Sequence, residues 1–76
     1  MKVKQENLET IKHHLENLLP KPTIESNDGQ NCTKYDFNNG LAVNVFGTGT
    51  ITVQGPTQAT NSELAKSIRK FIENYE

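Results

Sequence analysis

The sequence predicts a single α+β domain with the order α-β-β-β-α. Its core is a three-stranded antiparallel meander with both helices on one face and an open polar face on the other. Three observations carry this. The stretch from Asn31 to Gly55 holds three short runs in which apolar and polar residues alternate, separated by glycine-containing turns. A stripe of apolar residues at helical spacing lies on either side of it. At 76 residues the chain has room for one core, so residues 1–76 form one domain.

From Gln5 to Leu19 the apolar residues are Leu8, Ile11, Leu15, Leu18 and Leu19, spaced to give one stripe on a 3.6-period helix. Pro20 stops this helix and Pro22 keeps the exit extended. Lys21 to Gln30 contains the turn formers Asp28 and Gly29 and one apolar residue, Ile24. It is read as a linker, with a short edge strand around Thr23 to Ser26 as the alternative. Thr33, Tyr35 and Phe37 then share one side of a strand, with Cys32, Lys34 and Asp36 on the other. Asn38, Asn39 and Gly40 make a tight hairpin turn, because Asn and Gly tolerate positive φ.

Leu41, Val43 and Val45 alternate with Ala42, Asn44 and Phe46, and Gly47-Thr48-Gly49 makes the second hairpin. Ile51 and Val53 alternate with Thr50, Thr52 and Gln54 before Gly55 and Pro56 end the sheet. Thr60 and Glu63 have the spacing of a capping box. Leu64, Ile68, Phe71, Ile72 and Tyr75 form the second helical stripe, and Lys66, Arg69 and Lys70 face outward.

Composition excludes several classes. One cysteine forms no internal disulfide, which fits a reducing compartment. The N-terminal stretch MKVKQENLETIK lacks the apolar segment of a signal peptide, and no run approaches a membrane span, so a cytoplasmic protein is expected. Eight basic residues against nine acidic ones give a net charge of −1, and nucleic-acid binding therefore needs a local patch.

With both helices on the face carrying Tyr35, Phe37, Leu41, Val43, Val45, Ile51 and Val53, the opposite face displays Lys34, Asn44, Phe46, Thr52 and Gln54. These five are the candidate binding residues. Phe46 is the expected anchor, an aromatic able to stack a base or seat in a partner's pocket. The uncharged edge strand TITVQG is a candidate for pairing with a second copy in a homodimer.

The stretch LAVNVFGTGTITVQG, followed by SELAKSIRKFIE, resembles a small TBP-like (helix-grip) unit, as in the N-terminal domains of type III ribonucleases H and of RNase LS-type toxins. The resemblance spans Leu41 to Tyr75. It implies a curved sheet whose concave face meets nucleic acid or a nucleoprotein, and it brings no nuclease residues with it. Basic residues on the sheet are the family's means of gripping nucleic acid, and only Lys34 stands there.

The remaining chemistry-bearing residues have bland readings. His13 and His14 are adjacent, about 100° apart on a helix, and do not share a metal by themselves. Cys32 has no histidine or asparagine placed by the sequence to activate it, and reads as a small apolar residue on a strand. Gly47-Thr48-Gly49 lies between two strands, unlike a phosphate cradle, which precedes a helix. No enzyme, metal or cofactor is expected. The two surviving readings are a module that binds nucleic acid or a nucleoprotein by its open face, and a small regulator that docks on a larger protein. The second has the character of an antitoxin or of an inhibitor encoded by a phage or mobile element.

Overall fold

The computed structural model describes Met1–Glu76 as an α+β domain with a four-stranded antiparallel sheet. A 3-10 turn at Gln5–Asn7 leads into α1 (Leu8–Glu16). The strands are β1 (Thr23–Asn27), β2 (Cys32–Asp36), β3 (Ala42–Phe46) and β4 (Ile51–Gln54), in the spatial order β1-β2-β3-β4. A single turn, α2 (Thr57–Thr60), precedes α3 (Glu63–Glu73).

The expected three-stranded sheet is thus short by one strand. The linker reading of Lys21 to Gln30 gives way to its alternative, an edge strand: β1 pairs along its whole length with β2, from Thr23 opposite Asp36 to Asn27 opposite Cys32. All five β1 residues are exposed, so no apolar alternation marks the strand; pairing with β2 makes it.

Both inner hairpins use the same device. Gly40 donates to the Phe37 carbonyl at 3.1 Å and Gly49 to the Phe46 carbonyl at 2.9 Å, closing turns in which the fourth residue has φ of +87° and +100°. Such a turn followed by a glycine bulge needs the left-handed conformation that glycine adopts without cost from a side chain. The glycines differ in their surroundings. A Cβ on Gly40 would meet the Pro56 ring at an ordinary 3.5 Å, whereas one on Gly49 would collide with the Val3 carbonyl oxygen.

That collision marks a contact with the N-terminal segment. Val3 N–H donates to the Gly49 carbonyl at 2.8 Å and Ile51 N–H to the Met1 carbonyl at 2.7 Å, so Met1–Val3 runs along Gly49–Ile51, at the start of β4. Lys2 bridges Thr50 in antiparallel fashion, and the Val3 side chain enters the core. The edge that the TITVQG stretch was expected to expose is therefore occupied at Ile51 and stays open at Val53, whose neighbours Thr52 and Gln54 direct their backbone groups to β3.

The core is one cluster. Leu8, Ile11 and Leu15 of α1 and Ala65, Ile68 and Ile72 of α3 pack with Tyr35, Val43, Val45 and Ile51 of the sheet, and Phe37 and Leu41 close it at the first hairpin. The α1 helix ends at Glu16 rather than at Leu19. The Asn17 amide caps it by donating to the His13 carbonyl at 2.8 Å, which leaves Leu18 partly buried and Leu19 exposed. The cap of α3 is Ser62, whose hydroxyl accepts from Ala65 N–H at 3.2 Å. Thr60, expected in that role, lies inside α2 and donates to the Thr57 carbonyl instead. Pro56 and α2 set the cap two residues later than the Thr60–Glu63 spacing suggests.

Two stability measurements follow from this packing. Gly49→Ala is expected to cost about 1–3 kcal/mol in urea unfolding and more than Gly40→Ala, since both strain φ but only the first displaces a backbone carbonyl. Equal losses would mean that the N-terminal segment does not hold Gly49. Tyr35 is buried, and desolvation, reinforced by the carboxylates of Glu16 and Glu9, pushes its phenol up to about 12. A phenol that ionises less readily when folded stabilises the fold fully below pH 10. That contribution, about 2–3 kcal/mol, is lost as pH rises from 10 through about 12. Tyr35→Phe should remove that part of the alkaline loss; an unchanged pH profile would contradict the assignment.

Candidate functional site

Strand register sorts the open face into three rows. Asn27, Cys32 and Phe46 lie in one, continued through the Phe46–Thr50 hairpin to Lys2. Glu25, Lys34, Asn44 and Thr52 form the middle row, and Thr23, Asp36, Ala42 and Gln54 the third. The five candidate residues are therefore brought onto one surface, with Asn44 at its centre.

Their chemistry is largely spent on one another. The Asn44 side-chain amide donates to Thr52 Oγ1 at 3.2 Å and to Gln54 Oε1 at 3.3 Å. The Lys34 ammonium lies 3.7 Å from Asp36 Oδ2, and Glu25 stands opposite it across the strand pair. Phe46 is half-buried beside Cys32 and Thr50 rather than standing clear of the sheet. Lys2, a cation that the alternation argument missed, reaches the Thr48 carbonyl at 3.1 Å at one end of the face. The K-V-K pattern at Lys2–Lys4 was its signal, a strand alternation only three residues long. Lys34 is paired with Asp36, and the unpaired carboxylate of Glu25 offsets Lys2 in number, so this face carries no surplus of positive charge.

The sheet's two edges are unlike. In an antiparallel sheet successive residues direct their backbone groups to opposite neighbours. Phe37 N–H bonds to Leu41 and the Asn31 carbonyl to Gly47 N–H at 2.8 Å, so the odd-numbered residues of β2 face β3 and Cys32, Lys34 and Asp36 face β1. Their partners Asn27, Glu25 and Thr23 point inward, which leaves the N–H and C=O groups of Ile24 and Ser26 directed outward. No backbone partner meets them. The only exposed large apolar side chains in the protein are Leu19, 79% exposed, and Ile24, 44% exposed, in this strand and the segment leading to it.

On the open face beside this edge lies a polar concavity of about 320 Å³, lined by Glu25, Asn27, Asp28, Gln30, Lys34 and Asn44 among others. Its wall is held in place by the β1–β2 turn. There Asn31 adopts φ of +52° and its side chain fills the space that a Cβ on Gly47 would occupy.

The other reactive groups lie elsewhere. His14 stacks flat on Phe71, ring centroids 3.7 Å apart and planes 6° apart, and Phe71 leans on Tyr75. Desolvation there holds its imidazole below the usual histidine range, and its Nε2 has no hydrogen-bond partner. His13 is exposed. Both belong to α1, which packs on the helix-bearing face, whereas Cys32 lies on the other. No three His, Cys, Asp or Glu side chains converge as metal ligands would, and no helix is long and apolar enough to cross a membrane.

The neutralised Lys34 makes a direct prediction for single-stranded oligonucleotides. A fluorescent strand titrated at rising salt should show a log–log slope of magnitude below about 1, because no set of free cations tracks its phosphates. A steep slope would require several phosphate contacts and would contradict this reading of the face. No family model matches the chain, and no curated protein or solved structure matches it either, so its own surface chemistry is the guide to what it binds.

Proposed function

We propose that this chain is a non-enzymatic protein-binding module, a small regulator that docks on a larger protein through the outer edge of β1. The single observation that carries the reading is the asymmetry of the sheet. The N-terminal segment covers the β4 side at Gly49–Ile51 and leaves only Val53 of that strand facing outward, while β1 leaves the backbone groups of both Ile24 and Ser26 unpaired beside an exposed Ile24. A free edge of this kind accepts an added strand, in which main-chain bonds supply affinity and alternate side chains supply selectivity.

Open-face engagement of nucleic acid, the reading that the TBP-like resemblance favours, has less support. Lys34 is paired, the Asn44 amide donates to its neighbours, and Phe46 is half-buried.

Ser26→Pro separates the two. The Ser26 N–H points away from β2, so proline there blocks an incoming strand while keeping the β1–β2 ladder. A tagged pull-down from cell lysate, treated with nuclease, should retain a protein partner with wild type and with Phe46→Glu and lose it with Ser26→Pro. Recovery of nucleic acid that depends on Phe46, with Ser26→Pro unaffected, would overturn the proposal.

A further inference from the structure

The free edge and the concavity beside it share Glu25 and Ser26, and together they define the chemistry of the incoming strand. We infer that the β1 edge takes an extended peptide segment carrying a lysine or arginine opposite Glu25, next to an apolar residue opposite Ile24. This rests on the edge-docking reading above and specifies its partner.

Side chains paired across adjacent strands share a face, with Cβ atoms about 4.5–5.5 Å apart. A residue opposite Glu25 therefore projects onto the open face, over the concavity. There the carboxylates of Glu25 and Asp28 have no ion-pair or hydrogen-bonding partner, and the one lysine, Lys34, is paired with Asp36. A cationic side chain supplies what both carboxylates lack. The residue opposite Ile24 projects to the other face, where its apolar surface covers the exposed side of Ile24.

A second copy of the chain is a poorer occupant. Twofold pairing along the full length of β1 sets Ile24 opposite Ser26 and Glu25 opposite its own symmetry mate, and like charges directly opposite are destabilising. Sliding the pair by two residues toward the N-terminus leaves only Thr23–Glu25 paired within the strand and sets Ser26 against Pro22, which has no N–H to give. Glu25 thus acts against self-pairing in full register and for a basic partner.

The test is selection of peptides from a displayed random library against the full chain. It is followed by amide hydrogen exchange and by binding of the selected peptide, and of its Lys/Arg→Gln analogue, to wild type, Glu25→Gln and Ser26→Pro. The expected peptides carry a basic residue at one fixed position beside an apolar one, protect the Ile24 and Ser26 amides, and fail to bind Ser26→Pro. Glu25→Gln should weaken the basic peptide about fivefold and leave the Gln analogue unchanged. Peptides that protect these amides but show no basic preference, or no coupling to Glu25, would overturn the charge inference and leave edge docking standing. Peptides that protect other amides, or a library that yields none, would overturn both. Concentration-dependent dimerisation of wild type that protects the same amides would assign the edge to a second copy and overturn the inference.

Discussion

A few backbone hydrogen bonds at the far side of this sheet make its two edges unequal. Met1–Val3 lies along Gly49–Ile51 at the start of β4, with Val3 N–H on the Gly49 carbonyl and the Met1 carbonyl on Ile51 N–H. The second hairpin depends on this contact and the contact on the hairpin, since Gly49 must lack a side chain for the Val3 carbonyl to approach. With Val3 buried among the core residues, the N-terminal segment is anchored by packing as well as by hydrogen bonds. One edge of the sheet is thereby covered within the chain at Gly49–Ile51, which leaves Val53 as the outward-facing residue of β4, whereas both outward-facing residues of β1, Ile24 and Ser26, are free to pair.

Much of the architecture was legible in the sequence because it rests on periodicity. The alternation Leu41-Val43-Val45 against Ala42-Asn44-Phe46 marks a strand buried on one face, and the stripe Leu64-Ile68-Phe71-Ile72 marks a helix with one side to bury. What was missed, or held only as an alternative, has no such mark. Strand β1 is exposed at every position and exists because β2 offers it a ladder, a tertiary cause that local pattern does not record. The N-terminal strap is too short for alternation to be distinctive. The Ser62 cap was obscured because Pro56 inserts an extra helical turn ahead of α3, which moves the helix start two residues past Thr60.

The candidate site divides in the same way. Alternation correctly gathers Lys34, Asn44, Phe46, Thr52 and Gln54 on one face, because a side-chain period of two is geometric. Whether those groups are free depends on partners from other strands, which a linear pattern does not show. Asn44 finds Thr52 and Gln54, Lys34 finds Asp36, and a face that reads as a docking platform is a polar ladder largely satisfied within itself. The unsatisfied groups lie one strand away, in the segment with the least pattern of all.

Backbone amide exchange of the free protein, followed by NMR, tests the central claim of one edge covered at Gly49–Ile51 and one left open most directly. The amides of Val3 and Ile51 should be protected nearly as well as the core strands, while those of Ile24 and Ser26 exchange close to open-chain rates. Fast exchange at Ile51 would detach the strap, and slow exchange at Ile24 and Ser26 would mean the open edge is already covered; either result contradicts the account.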